Sequence, residues 1–425
     1  MRLLHLADIH LDTLFASRSQ RLRERLREAS RQAFRRAVGL AIREEVDAVL
    51  VAGDLFDGHR LSFPTERFLL EELRRLGEAG IPCLYCTGNH DPGSGIAGDG
   101  RIRWPAHVEL FADGEPRSVV IERGGRPVGT VTSAGHRTDR EGDDLSARFG
   151  GRPDPSLPAV AMLHTQVTGA GGAEAHERYA PSELPSLRRA PFDYWALGHI
   201  HLRQTLETTP GIRYPGNLQG RSPRETGAKG GLLVELPGPG ATPAVEFVDL
   251  APIRWEVLEV DGIDAIHTLD GLLHRIAELW REARGAEPGR PGTEWIVRVR
   301  LTGASPLAGE LALEENRRTL VSETAQNLDL LEVELRTGGV RSTVDPAEYR
   351  ERQDPVGLAL RILRSLEGAD PGADSDLPME VDPSTLAGLV DAPGSDPADY
   401  IREILGDEVG ARILIDRFRA LGEGR

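Results

Sequence analysis

Five times in its first 201 residues this chain runs through a short apolar segment and stops on side chains that bind metals or protons. The stops are Asp8-x-His10, Gly53-Asp54-x-x-Asp57, Gly88-Asn89-His90-Asp91, His164 and Gly198-His199-x-His201. The runs before them, such as residues 81–86 and 158–163, have the length and bulk of buried strands. An amide, an imidazole and a carboxylate in a row cannot form a core, so each cluster is expected in a turn at a strand's end. Strand ends are also where ligand sites assemble in helix-covered sheets. The chain must therefore adopt a fold that gathers several strand ends at one place.

The intervening segments agree with such a fold. Residues 2–7, 47–52 and 81–86 read as strands. Residues 20–45 place Leu22, Leu26, Ala29, Ala33 and Ala37 on one helical stripe, and a second amphipathic helix spans about 65–77. Strand–helix–strand–helix–strand is the pattern of a sheet with covering helices. Two hairpins follow, 118–122 with 127–132 around Gly-Gly, and 231–236 with 244–250 around Pro-Gly-Pro-Gly. Strands ended by His164 and by Gly198 lie between them.

After Pro252 the character changes. Strand (255–260), helix (265–284), strand, helix (about 307–327) and a last strand make a small α+β domain with no constellation of metal-type ligands. Its middle strand alternates Trp295, Val297, Val299 and Leu301 with Arg298 and Arg300. Residues 343–425 read as a helix, an Asp/Pro/Gly/Ser-rich linker and an amphipathic helix over 400–421. The chain thus divides into 1–250, 251–342 and an acidic tail, 343–425, a division in keeping with its 425 residues.

Composition narrows the function classes. No apolar run approaches the roughly 20 residues of a membrane span. Charge appears too early at the N-terminus for a signal-peptide core, so a cytoplasmic location is expected. Net charge is −16, of which residues 343–425 carry −9, from 18 acidic and 9 arginine side chains. A free-standing, strongly basic nucleic-acid binder is excluded, but a local basic groove is not. Cys83 and Cys86 have a C-x-x-C spacing, but on a strand they point to opposite faces and are expected to be buried thiols. Arginine has almost displaced lysine, and Lys229 is the one lysine left.

The clusters offer Asp8, His10, Asp54, Asn89, His164, His199 and His201 as candidate ligands, with His90 beside them. This is too many for one zinc ion, which takes about four. It suits two ions sharing a bridging carboxylate. Oxygen and imidazole donors without thiolate favour Mn²⁺, Fe²⁺ or Zn²⁺ over Ca²⁺. Two such ions about 3.5–4 Å apart activate water for in-line attack at phosphorus and neutralise the growing charge.

The order of these motifs resembles the calcineurin-like metallophosphoesterases over about residues 1–250. The resemblance implies a four-layer α/β/β/α sandwich and two divalent ions, most often Mn²⁺. Asp8, His10, Asp54 and His201 would hold one ion, and Asp54, Asn89, His164 and His199 the other. His90 would face the scissile phosphate as general acid or charge stabiliser, while Asp57 and Asp91 would orient imidazoles; within its own turn, Asp91 is expected only to hold the turn. Three features are similar to the DNA-repair exonuclease branch, the SbcD/YhaO-like nucleases: the start Leu4–Asp12, the stretches Tyr214–Arg221 and Glu225–Gly230, and the added α+β domain. That likeness implies DNA as substrate, a cap that guides it, and tail helices that bind an SMC-like (SbcC-like) ATPase. Homodimers are also common in the branch. Some relatives carry His where this chain has Asp57.

A Mn²⁺-dependent DNA exonuclease is therefore the leading expectation. A small-nucleotide phosphodiesterase or phosphatase, or a DNA-end scaffold for the ATPase, are the alternatives. Arg221, Arg224 and Lys229 are candidate phosphate contacts. The arginines of residues 21–36 are expected to form a solvated helix face. His5 is expected in the core, and His59 and His136 near the site.

Overall fold

The computed structural model describes residues 1–58, 61–95, 97–172, 179–286 and 288–342. The tail helices and His59 lie outside these described residues. The chain divides into two compact units, Met1–Val257 with Glu287–Val297, and Leu258–Ala286 with the chain from Arg298 onward.

In the first unit the order is β1 (Arg2–Leu6), α1 (Gln20–Arg43), β2 (Ala48–Ala52), α2 (Phe63–Glu78), β3 (Cys83–Cys86) and β4 (Val108–Phe111). Then come β5 (Arg117–Arg123), β6 (Arg126–Ser133), β7 (Ala159–His164), α3 (Leu184–Arg189), β8 (Tyr194–Gly198) and β9 (Gln204–Glu207). β10 (Gly211–Tyr214), β11 (Gly230–Glu235) and β12 (Ala244–Asp249) complete it. Two six-stranded sheets result, ordered β12-β11-β1-β2-β3-β4 and β5-β6-β7-β8-β10-β9. β1 to β4 pair in parallel, as do β6, β7 and β8. Parallel neighbours need crossovers, which α1 and α2 supply.

Alternate residues of each strand feed different cores. Leu4, Leu6, Val49 and Val51 meet Phe34 and Val38 of α1 and Leu69 and Leu73 of α2. Leu3, Leu50, Leu84 and Phe111 face the other way, onto Val131, Val160, Met162 and Tyr194 of the second sheet. That sheet's outer face, with Ala161, Leu163 and Trp195, is covered by Leu145, Phe149 and Leu187. The architecture is the four-layer α/β/β/α sandwich. His5 belongs to its interior, between Tyr194 Oη at 3.0 Å and Leu197 O at 3.2 Å. Cys83 and Cys86 are buried free thiols.

The predicted stripe of α1 is buried, and Ser19 Oγ caps the helix by accepting the Leu22 N–H at 3.3 Å. Its arginines depart from a simple solvated face. Arg35 pairs with buried Glu72 at 2.9 Å, and Arg31 donates to Thr65 Oγ1 at 3.1 Å. The sequence pattern does not reveal β4, β9, β10 or α3. Each has four to six residues, too few to display a period.

The second unit contains α4 (Leu269–Ala286), α5 (Ala308–Ala312), α6 (Glu314–Asn327) and β15 (Glu332–Ser342). β13 (Ile253–Val260) and β14 (Glu294–Ser305) run through both units, and the sheet order is β13-β14-β15. Across β14 and β15, Arg298 pairs with Glu334 at 2.5 Å. The single helix expected over 307–327 is two helices. Leu313 is extended, and Asn316 Nδ2 and Arg317 Nη1 take the carbonyls of Glu310 and Leu311 at 3.0 and 2.9 Å, closing the end of α5. Among the described residues no helix is long and apolar enough to cross a membrane.

Candidate metal centre

The carboxyl ends of β1, β2, β3, β7 and β8 converge, and the turns after them carry the polar clusters. These turns use backbone that side chains rarely adopt: φ is 50° at Asp8, 49° at His10, 51° at Asp54 and 101° at His199. Such conformations cost about 1–3 kcal/mol each and persist where neighbours impose them. Here the β1 and β2 turns stay paired beyond their strands, through His10 N to Asp54 O and Leu11 N to Leu55 O, both 2.9 Å. The glycines before two clusters are sterically required. A Cβ on Gly53 would overlap the His164 ring, and one on Gly88 would overlap the Asp54 carboxylate.

Asp54 lies at the middle of the ligand set. Its Oδ1 accepts the His90 N–H at 2.9 Å. Its Oδ2 is left 3.7 Å from His10 Nε2 and 3.4 Å from His164 Nε2. On one side, His10 Nε2 is 3.2 Å from His201 Nε2, which is 3.7 Å from Asp8 Oδ1. On the other, Asn89 Oδ1 is 3.0 Å from His164 Nε2 and 3.1 Å from His199 Nδ1. Asp8, Asp54, His10 and His164 are essentially inaccessible to solvent. All seven predicted ligand side chains are thus together, in two groups that meet at one carboxylate oxygen.

This donor set fits two divalent cations. His10 and His201 aim ring nitrogens at each other, an arrangement that at most one proton can satisfy. Burial pushes the Asp8 carboxyl above its usual range despite the histidines beside it, a desolvation that cations would relieve. Oxygen and imidazole without thiolate is the chemistry of Mn²⁺, Fe²⁺ or Zn²⁺ sites.

The imidazoles are held from behind. His164 Nδ1 is 2.9 Å from Ala52 O, which leaves Nε2 directed at Asp54 and Asn89. His201 Nδ1 is 2.7 Å from Glu225 Oε1. Glu225 also accepts from Asn217 Nδ2 at 2.9 Å and Arg221 N at 2.6 Å. Burial opposes its charge, but these partners outweigh burial and bring its carboxyl down to about 2. The motifs along the chain do not mark Glu225 as an orienting group. Its signal is its place at the head of the Glu225–Gly230 stretch that the family likeness marks, which gives it no role until the fold brings it to His201.

His90 stands apart from the ligands. Its Nδ1 is 2.8 Å from Asp57 Oδ1, and its side chain is 41% exposed to the cavity. Burial disfavours its charge, but the hydrogen bond to Asp57 and the nearby Asp54 carboxylate raise it above the ordinary histidine range. Thr13 Oγ1 at 2.8 Å and Arg221 Nη1 at 3.2 Å fix the other oxygen of Asp57. Asp91, which by the resemblance would orient an imidazole, holds the turn instead. Its carboxylate accepts from the N–H groups of Gly88, Leu55 and Phe56 at 2.7, 2.5 and 3.2 Å and from Tyr85 Oη at 2.6 Å. It ties the β2 turn to the β3 turn, because those backbone donors have no strand partner there.

A cavity of about 350 Å³ opens over the centre and is lined by Asn89, His90, Arg221, Arg224 and Lys229, among others. Arg224 is exposed there. Lys229 is 7% exposed and donates Nζ to His201 O at 3.1 Å, so it braces the backbone at His201. His136 is also a bracing group rather than a substrate contact. It is fully buried, with Nε2 2.7 Å from His164 O.

Comparison with known proteins gives consistent results. The family model described as calcineurin-like phosphoesterase matches residues 1–203, and that described as metallophosphoesterase YhaO, middle domain, matches residues 255–336. The chain is 31% identical to the uncharacterized metallophosphoesterase YhaO of Bacillus subtilis over 326 residues, 75% of this chain and 74% of that protein. It is 30% identical to the DNA double-strand break repair protein Mre11 of Aeropyrum pernix over 341 residues, 75% of this chain and 77% of that one. Against SbcD, a subunit of the SbcCD nuclease of Escherichia coli K12, identity is 29% over 250 residues, 51% and 60% of the two chains.

Proposed function

This chain belongs to the calcineurin-like phosphoesterases, in the branch of YhaO, Mre11 and SbcD, and from that premise we propose that it is a DNA exonuclease with a dinuclear metal site. Membership makes it a hydrolase of phosphoesters. The finer reading, cleavage of DNA from ends in the 3′→5′ direction with Mn²⁺, is supported by relatives named for DNA double-strand break repair and as part of a nuclease. The observation that carries it is the pair of ligand groups meeting at Asp54 Oδ2, with His90 held beside them but outside them.

Bound divalent ions would supply an activated water and charge neutralisation at the phosphate. The chain's residues do the rest. Asp8, His10, Asp54 and His201 would hold one ion, and Asp54, Asn89, His164 and His199 the other. Asp57 holds Nδ1, so in its protonated form His90 can donate from Nε2 to the leaving 3′ oxygen or stabilise charge there. Arg221 braces Asp57, and Arg224 faces the cavity where further phosphates would lie. The α+β domain expected at 251–342 would cap the site and guide DNA. The tail, 343–425, would engage an SMC-like ATPase, as a relative named as one part of a two-component nuclease suggests. A homodimer would fit the same assembly.

End-labelled linear DNA incubated with Mn²⁺ tests the activity. Stepwise release of nucleotides from the 3′ end is expected. Intact DNA alongside brisk turnover of bis-p-nitrophenyl phosphate would sink the nuclease reading and leave a small-molecule phosphodiesterase.

A further inference from the structure

A second cavity, about 350 Å³, opens between α1 and the edge strand β12, and three arginines line it: Arg36, Arg43 and Arg290. Arg36 Nη1 donates to Leu250 O at 3.1 Å and Arg290 Nη1 to Asp249 O at 2.8 Å. The two side chains reach the same end of β12, and Arg290 is near enough to act on the Arg36 charge. Arg43 lies two helical turns along α1 from Arg36, on the same face. Gly39 lies between them, and the space above it is open.

The positive charge here is only partly offset by the two nearby carboxylates, Asp249 and Glu44, each of which is shared with a further arginine. One oxygen of the Asp249 carboxylate accepts from Arg254 at 2.6 Å. Glu44, 3.7 Å from Arg43, is taken by Arg2 at 2.8 Å. Burial, and then the neighbouring Arg290 charge, push Arg36 below the usual guanidinium range. A chain of net charge −16 thus concentrates three cations around an open cavity. Planar guanidinium forks gathered at one cavity are suited to phosphate oxygens, which accept two parallel N–H bonds.

Leu250 connects this cavity to the catalytic one. Its carbonyl takes Arg36, and its N–H donates at 2.9 Å to the carbonyl of Lys229, whose Nζ holds His201 O. We propose that Arg36, Arg43 and Arg290 form a phosphate-binding site that holds a backbone phosphodiester of the nucleic acid away from the scissile position. The DNA assignment rests on the nuclease reading; the anion site rests on the arginines alone.

The test uses the full chain and a fluorescein-labelled 30-base-pair duplex in EDTA, followed by anisotropy across a KCl series. Arg36→Gln/Arg290→Gln is compared with wild type and with Arg188→Gln/Arg189→Gln, which removes equal charge elsewhere. For each phosphate that is no longer neutralised, the log–log salt slope becomes less negative by about 0.9. The double variant is expected to change by at least that amount, and the control not at all. Mn²⁺-dependent turnover of bis-p-nitrophenyl phosphate and the thermal melt should stay at wild-type values. An unchanged slope in the double variant, or an equal change in the control, overturns the site. If wild type binds no DNA, the nuclease reading fails, and calorimetry with inorganic phosphate decides the site alone. Binding that the double variant loses supports a small-phosphate site, and no binding in wild type overturns it.

Discussion

His90 and its neighbours show how one side chain acquires a role from its contacts. Alone, Asn89-His90-Asp91 is a polar turn. In the fold its three members part: Asn89 joins His164 and His199, His90 bonds Asp57, and Asp91 ties down backbone. The first of these was legible from residue type and spacing. That Asp91 holds the turn was legible too, but the groups it holds were not, because they are mainly backbone N–H donors, invisible in a residue pattern, and three of them lie 35 or more positions earlier. If His90 moves a proton and holds no metal, His90→Ala should retain wild-type Mn²⁺ content by plasma mass spectrometry. DNA cleavage should fall by about 10²–10⁴-fold, the usual worth of a general acid. Wild-type cleavage by that variant would show the assigned role to be wrong.

At the scale of elements, strands deliver the ligands and the loop from Asn217 to Lys229 holds one of them in place. That loop contributes Asn217, Arg221, Glu225 and Lys229, each bonded to His201 or to another member of the group. A carboxylate behind a metal-binding imidazole sets its tautomer and direction. Glu225→Gln is therefore expected to weaken Mn²⁺ binding by about 10–100-fold in calorimetry. The metal-free melting temperature should stay near wild type, since an isosteric amide still accepts from Asn217 and Arg221. Wild-type affinity in that variant would reduce Glu225 to a loop fastener. The long elements, α1 and α2, were readable in advance because 16 to 24 residues display a period. The four-residue strands β4 and β9 were not, since their pairing depends on a neighbour already in place.

For the whole molecule, charge is distributed by task. Residues 343–425 hold more than half of the net −16, while arginines gather beside α1 and over the metal centre. An acidic body that handles a polyanion needs such local cations, and its affinity must depend steeply on salt. The acidic tail is the proposed partner segment. Deleting residues 399–425 should release a co-purifying ATPase while Mn²⁺-dependent hydrolysis of a model diester continues. Retention of the ATPase by the truncated chain would place the partner site elsewhere.

Sequence alone determined the ligand types, their order, and the strand–helix alternation of a sheet with covering helices, while the second sheet entered through the family resemblance. These are local properties: a strand's period and a donor's chemistry do not depend on what lies opposite. Tertiary structure alone decided which oxygen of Asp54 stands between the two groups, and that Glu225 backs His201. It also decided that Lys229 braces backbone and that Arg36 and Arg290 meet on adjacent carbonyls. These contacts join residues 24 to 214 positions apart, and several rest on a backbone group. Their meeting follows from how the sheets stack rather than from any pattern along the chain.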